Sequence, residues 1–86
     1  MQRGWVVSPY YRAAIAAISA VREERGLSQR ELARRIGKPA SFVNKIEQLE
    51  RRLDIEEFIA IAHAMDVPPH ELLTAVLGAL PPSIRI

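Results

Sequence analysis

The chain has 86 residues, a formal net charge of +2 and no cysteine, and these properties exclude several classes of protein. Its length accommodates one hydrophobic core, and 49% hydrophobic with 26% charged residues is typical of a folded domain. The lack of cysteine excludes a disulfide scaffold, a thiolate zinc site, an iron–sulfur cluster and a cysteine nucleophile. The longest nearly uninterrupted apolar run, Ala13 to Val21, is far shorter than a membrane span, and no signal peptide is recognisable, so we expect a cytoplasmic protein.

The charges are distributed unevenly along the chain. Residues 22–52 carry nine basic and five acidic side chains, whereas residues 53–86 carry one arginine and five acidic side chains. This asymmetry indicates a basic face for a polyanion and an acidic face kept away from it. Solvated helix faces without a partner would give the same pattern, so charge alone does not decide between the two.

The ends of the first helix are marked by three residues. Ser8 can cap free backbone N–H groups, Pro9 suits the first helical position, and Gly26 tolerates the left-handed backbone that often follows a helix. The alanine-rich sequence between them favours a helix over 9–25. Residues 1–8 form an N-terminal arm.

Two short helices follow with almost no linker. Ser28 and Glu31 have the spacing of a capping box, which begins the second helix, and Gly37 ends it. A third helix is predicted over 39–49. Two short helices joined by a glycine-containing turn usually cross steeply, so the second protrudes and can enter the DNA major groove. The apolar stripe of the third helix is Phe42, Val43, Ile46 and Leu49, and its outward face is Ala40, Ser41, Asn44, Lys45 and Gln48.

The last third of the chain predicts two more helices and a tail. Asp54 and Glu57 form another capping box, which begins a helix over 55–65, and prolines enclose a fifth helix over 69–79. The tail, 81–86, alternates polar and apolar residues, which suits a short strand or an arm laid on a partner. In the fourth helix we expect Ile55, Phe58, Ile59 and Ala62 to face inward.

The run LSQRELARRIGKPASFVNKIEQLERRL, from Leu27 to Leu53, resembles the Cro and phage-repressor type of helix-turn-helix, also called the XRE type. The resemblance extends to about Leu73 and implies an all-α, compact five-helix lambda-repressor-like domain over 9–80. The helix-turn-helix itself would occupy about 28–49. The residues that carry the resemblance are Gln29 after the cap, the small Ala33 between helices, Gly37 in the turn, and Val43 and Ile46 in the core.

The resemblance implies which residues contact DNA. The positions that match the base-reading face are Ala40, Ser41, Asn44 and Lys45. Asparagine can bond adenine bidentately and lysine can reach guanine acceptors, so Asn44 and Lys45 should carry most of the direct readout. Contacts with DNA phosphates are implied for the residues around this face, which are Gln29, Arg34, Arg35, Lys38, Arg51 and Arg52.

The resemblance also implies a structural ion pair between Arg22 and Glu47, which would tie the first helix to the third. One residue departs from the family pattern, which commonly has glycine just after the recognition helix where this chain has Leu49. Since leucine is disfavoured in the left-handed conformation, we expect the helix to end differently or to run on. Either outcome would change the placing of Arg51 and Arg52.

A dimer is expected because one recognition helix reads only a few base pairs. Specific binding usually needs a second copy one DNA turn, roughly 34 Å, away. We expect a homodimer on a two-fold symmetric operator, with a heterodimer of related chains as the alternative. The interface is assigned to helix 5 and the tail through Val76, Leu77, Leu80, Ile84 and Ile86, with Trp5 to Val7 added from the arm. The alternative is that these residues close the core of a monomer.

These features predict a sequence-specific double-stranded DNA-binding transcriptional regulator, most simply a repressor that occludes a promoter. A protein-interaction module, such as an antitoxin or a regulatory partner with weak or no DNA binding, is the alternative, since Ala40 and Ser41 are uncharged. No catalytic residue, cofactor or metal is expected. His63 and His70 lie in separate helices without partners at metal-ligand spacing, and the sequence has neither a nucleophile elbow nor a glycine-rich phosphate loop.

Overall fold

Five helices and no strand make up the part of the chain that this computed structural model describes, residues 6–86, which confirms the all-α prediction. Trp5 and the rest of 1–5 lie outside the described residues. The tail, 81–86, forms no strand and follows the last helix as an irregular arm. The helices are α1 (Pro9–Glu24), α2 (Gln29–Arg35), α3 (Ser41–Glu47), α4 (Ile55–Ala64) and α5 (Pro69–Gly78).

Side-chain caps begin three of the helices. Ser8 Oγ accepts a backbone N–H of α1 at 3.0 Å, and Ser28 Oγ accepts the N–H of Glu31 at 3.0 Å. The predicted box of Asp54 and Glu57 is complete, with reciprocal bonds of 2.8 and 3.0 Å. At Ser28 the predicted box is only half formed, because the carboxylate of Glu31 binds two arginines of its own helix instead of the cap backbone.

Gly37 makes the turn that joins α2 to α3. Its φ is +70°, a left-handed conformation that glycine adopts without a steric penalty. The N–H of Lys38 donates to the carbonyl of Ala33 at 2.9 Å, which satisfies one of the free carbonyls at the end of α2. Ala33 is completely buried, and α2 packs mainly against α3. The pair therefore forms a helix-turn-helix.

The third helix is shorter than predicted, since α3 covers Ser41–Glu47 and not 39–49. Pro39 lies before the helix and accepts the N–H of Phe42 at 2.9 Å, which makes a turn. Ala40 is the N-cap residue and makes no side-chain capping bond. The backbone of Ala40 is already helical, with φ −55° and ψ −31°, so the turn from Pro39 leads directly into the regular helix.

Leu49 ends α3 in the left-handed conformation, with φ of 63°. Its N–H donates to the carbonyl of Ile46 at 3.0 Å, and the N–H of Glu50 donates to Lys45 at 2.9 Å, the bond pattern with which glycine commonly ends a helix. The expectation that leucine would alter or extend this end is therefore wrong. The side chain of Leu49 is buried, and that burial, about 1.5–3 kcal/mol, offsets a left-handed strain of about 1–2 kcal/mol.

The core lies where α1, α4 and α5 cover the helix-turn-helix. Helix α1 packs against α5 and α3, and α2 also contacts α4. The largest fully buried side chains come from three different places in the chain, namely Leu32 of α2, Met65 just after α4 and Leu72 of α5. The core thereby fixes α2 and α3 against the rest of the domain.

The buried side chains of α4 and α5 are not all those that the sequence predicts. Ile55 is 76% exposed and Ile59 is 40% exposed, so neither points into the core as expected. The side chains buried in this region are instead those of Ile61 in α4 and Met65 just after it. On α5, Val76 is only 7% exposed and belongs to the core, so it offers almost no surface to a partner.

The strain at Leu49 can be measured with two variants that remove the same side chain. Leu49→Ala and Leu49→Gly should both lower the free energy of unfolding, because both remove buried apolar surface. Leu49→Ala should be less stable than Leu49→Gly by about 1 kcal/mol, since only alanine keeps a Cβ in the left-handed conformation. Urea denaturation of the three proteins measures this difference, and a more stable alanine variant would show that the backbone there is not strained.

Candidate nucleic-acid interface

The outward side of α3 is a surface of four small or polar residues. Ala40, Ser41, Asn44 and Lys45 are all exposed, whereas the side chains on the opposite side of the helix are buried. The structure therefore brings the four predicted base-reading residues together on one accessible face, which we call the recognition surface. A helix with a free face of this kind fits the width of the DNA major groove.

The recognition surface is attached to the rest of the domain by an ion pair. Arg22 Nε donates to Glu47 Oε2 at 2.7 Å, and Arg22 Nη2 donates to Glu47 Oε1 at 3.1 Å. Arg22 Nη1 also donates to the carbonyl of Leu27 at 2.7 Å. The side chains of Arg22 and Glu47 are only 11% and 13% exposed. This arrangement joins α1 and α3 to the loop before α2, and a bidentate guanidinium fixes their orientation.

Gln29 lies between this ion pair and the recognition surface. Its Nε2 donates to Glu47 Oε1 at 2.7 Å, and its Oε1 accepts from Asn44 Nδ2 at 3.2 Å. Both ends of the Gln29 amide are thus engaged within the protein, but its NH₂ group keeps a second hydrogen, so the role of Gln29 as a phosphate contact stays a prediction. Sequence reasoning missed this link because residues 29 and 44 come together only when α2 and α3 cross.

Two of the predicted phosphate contacts are bound to Glu31. Arg34 donates to it at 2.9 and 2.6 Å, and Arg35 donates to it at 3.1 Å. These bonds lower the pKa of Glu31 from 4.5 to about 2. Arg35 also donates to the carbonyl of Ala64 at 2.9 Å and lies 4.0 Å from Asp66, so it ties α2 to the end of α4. Arg35 therefore has a structural role, and Arg34 keeps an accessible side chain, 71% exposed, while the phosphate roles of both stay predictions.

Arg51 is likewise held by contacts within the protein, and its side chain is 40% exposed. It donates to both carboxylate oxygens of Glu57, at 2.8 and 2.6 Å, and to the carbonyl of Arg52 at 2.7 Å. Its guanidinium lies 4.7 Å from the ring centre of Phe42. Hydrogen bonding by Arg51 lowers the pKa of Glu57 below its ordinary value. These contacts anchor the loop after α3 and give Arg51 a structural role, while its predicted phosphate role stays a prediction.

The remaining cations around the recognition surface are more accessible. Lys38 is exposed and lies 5.5 Å from the ring centre of Phe42, and Arg52 is exposed and lies 5.2 Å from the ring centre of Tyr11. Arg30, which sequence reasoning did not select, is exposed at the start of α2. Within residues 6–86 neither Arg30 nor Lys45 makes a hydrogen bond or an ion pair. The only signal for Arg30 in the sequence was its place beside Gln29.

The described part of the chain has neither a metal-binding cluster nor a membrane-spanning helix. In residues 6–86 no group of three or more His, Cys, Asp or Glu side chains is placed to hold a metal ion. The same residues include no helix with the length and apolar character needed to cross a membrane.

The helix-turn-helix geometry agrees with a comparison of sequences. The model of the helix-turn-helix family HTH_3 matches residues 18–72, which is more than half of the chain. The chain belongs to this family. Its members are DNA-binding transcriptional regulators of the XRE type, and we assign this HTH_3 protein to that class. The matched segment begins in α1 and ends in α5, so it includes both partners of the buried ion pair.

Solved structures with the same fold include three that we compare with this chain. An XRE-family-like protein from Pseudomonas syringae pv. tomato is 38% identical, with a TM-score of 0.75 over 84% of this chain and 88% of that chain. The restriction-modification controller protein C.Esp1396I is 20% identical, with a TM-score of 0.78 over 85% of this chain and 95% of that chain. The clp gene regulator ClgR from C. glutamicum is 19% identical, with a TM-score of 0.75 over 90% of this chain and all of that chain. No curated protein matches the chain significantly.

The lowered pKa of Glu57 predicts a pH dependence of stability. A carboxyl with a lower pKa in the folded state stabilises the fold above its ordinary value of about 4.5, and this contribution is lost as the pH falls through the lowered value. We expect Glu57→Gln to reduce the free energy of unfolding by roughly 1 kcal/mol at pH 7. This value is small because Arg51 is 40% exposed and solvent screens the ion pair. Below pH 4.5 the reduction should become progressively smaller.

Thermal unfolding between pH 3 and pH 7 measures this effect. Glu56→Gln is the matched control, since Glu56 is exposed and makes no hydrogen bond or ion pair within residues 6–86. The control should keep the wild-type dependence on pH. An equal loss of stability for Glu57→Gln at both ends of the range would show that the ion pair is not responsible.

Proposed function

We propose that this HTH_3 protein is a sequence-specific, dimeric transcriptional repressor that reads the DNA major groove with α3. The observation that supports this most is the recognition surface itself, an exposed helix face whose Asn44 is hydrogen-bonded to the framework and whose Lys45 has no partner among the described residues. These side chains suit adenine and guanine edges, respectively. The small Ala40 leaves room for the groove wall or a thymine methyl group.

The phosphate contacts in this proposal come from fewer cations than the sequence indicates. Arg30, Lys38 and Arg34 have accessible side chains on or next to α2 and the turn, and Arg52 adds a fourth beyond α3. We leave Arg35 and Arg51 out of this set because they bind the carbonyl of Ala64 and the carboxylate of Glu57. Each cation that neutralises a phosphate adds to the salt dependence of binding, so affinity should fall steeply with ionic strength.

The dimer in this proposal uses the exposed apolar side chains of α4 and α5. Ile55 and Val76 line one cavity of about 290 Å³, so the start of α4 meets the end of α5. Ile59 lies one turn beyond Ile55, and Leu73 lies one turn before Leu77. All four of these exposed side chains belong to α4 and α5, which pack against each other, and we assign them as the apolar patch of a two-fold interface. Ile84 and Ile86 of the tail are also exposed and adjoin α1 through a second cavity.

The first test is a selection of bound sequences from random double-stranded DNA at about 150 mM salt, read by sequencing. A two-fold symmetric site with half-sites about one helical turn apart is the expected result. No enrichment from a folded protein would favour the alternative of a protein-interaction module.

Substitutions should separate base contacts from phosphate contacts. Lys45→Ala and Asn44→Ala should each weaken binding to the selected site by about 1–3 kcal/mol and relax its sequence preference. Lys38→Ala and Arg30→Ala should weaken binding to selected and random DNA alike and make the dependence on salt less steep. Fluorescence anisotropy with both DNAs at several salt concentrations measures these effects. Equal losses on both DNAs for all four variants would contradict the assignment.

A charged substitution in the apolar patch should prevent the dimer. Leu77 is 58% exposed in the single chain, so Leu77→Glu can be tolerated by the fold while it places carboxylates at the two-fold interface. Sedimentation velocity at tens of micromolar should show a wild-type dimer and a variant monomer. Ala16→Glu, on the exposed side of α1, is the control that should stay dimeric. A monomeric wild-type protein without DNA would contradict the proposed interface.

A further inference from the structure

The hydrogen bonds between the ion pair and the recognition surface have only one possible direction. Glu47 is bound by Arg22 through both carboxylate oxygens, and a carboxylate has acceptors only. Gln29 must therefore turn its NH₂ group towards Glu47 Oε1, where the distance is 2.7 Å. If the Gln29 amide were rotated by 180°, its Oε1 would face Glu47 Oε1, and no hydrogen would lie between the two oxygens.

The orientation of the Gln29 amide in turn determines the orientation of the Asn44 amide. Once the NH₂ group of Gln29 faces Glu47, its Oε1 faces Asn44 and can only accept. Asn44 must then present its NH₂ group, which lies 3.2 Å from that oxygen. One of the two amide hydrogens of Asn44 is used in this bond. The other hydrogen and Oδ1 are left for a ligand on the exposed side.

We infer that Gln29 is a positioning residue that holds the Asn44 amide in a single orientation and thereby makes the recognition surface select adenine. A side-by-side donor and acceptor match the N7 acceptor and the N6 amino donor that adenine shows in the major groove. An Asn44 amide free to flip would bond guanine or thymine acceptors as readily. The identity of the base is thus set by the charge of Glu47, two hydrogen bonds away. This inference rests on the proposed function for its DNA part.

The variant Gln29→Met tests the inference with little risk to the fold. Methionine has nearly the length and helix propensity of glutamine, but it removes both the donor to Glu47 and the acceptor from Asn44. Gln48→Met is the matched control, because Gln48 is an exposed glutamine at the end of α3 that makes no side-chain hydrogen bond within residues 6–86.

Two measurements test whether Gln29 orients the Asn44 amide, and the first needs no DNA. Exchange of side-chain amide protons with water, followed by NMR, should be slower for Asn44 than for Gln48 in the wild-type protein. The slow exchange of the Asn44 amide should be lost in Gln29→Met and kept in Gln48→Met. Equally fast exchange of both amides in the wild type would overturn the inference.

The second measurement is the sequence selection, repeated with the variants. The base read by Asn44 is identified as the position whose preference disappears in Asn44→Ala, and it should be adenine. Gln29→Met should lower the preference for that adenine about tenfold, the discrimination of one bidentate contact, while Gln48→Met leaves it unchanged. An unchanged preference in Gln29→Met, or a base other than adenine, would overturn the inference. If the wild-type protein selects no DNA, the proposed function fails, and the exchange measurement still decides whether Gln29 positions Asn44.

Discussion

The ion pair between Arg22 and Glu47 is the interaction on which the helix-turn-helix depends. It withdraws two charges from water between α1 and α3, and the guanidinium also binds the carbonyl of Leu27 in the loop that precedes α2. Removing one partner of such a pair typically costs about 3–5 kcal/mol, because the other charge stays buried without compensation. The pair is therefore better understood as a device that fixes the three segments relative to one another than as a source of net stability. Through Gln29, the same carboxylate also reaches the surface of α3.

The arginines of this small domain serve two competing purposes. A guanidinium that caps a helix or pairs with a carboxylate is held in place within the protein, and Arg35 and Arg51 both have such internal partners. Their contacts hold α2 to α4 and the loop after α3 to the start of α4. Part of the positive charge of the segment 22–52 is thus engaged within the protein, and the accessible cations are Arg30 and Arg34 of α2, Lys38 of the turn and Arg52 beyond α3.

Much of the fold could be predicted because its signals are local. Ser8, Ser28 and Asp54 cap their helices through bonds to residues three positions on, and Gly37 takes the left-handed conformation its place in the turn requires. Local rules failed where a distant contact decided the outcome. Leu49 adopts a glycine-like conformation because its side chain is buried in the core. The carboxylate of Glu31 does not bond the cap backbone because it binds two arginines instead.

The sequence by itself determined the five helices, the helix-turn-helix and the residues on the outward face of α3, because periodicity, caps and turn residues act over a few positions. Only the tertiary structure decided which polar groups are used within the protein. Residues 29 and 44 are fifteen positions apart and meet because α2 and α3 cross, and the burial of Val76 with the exposure of Ile55 depends on how α4 and α5 rotate in the core. Such contacts depend on the positions of several helices at once, so a pattern along the chain does not contain them.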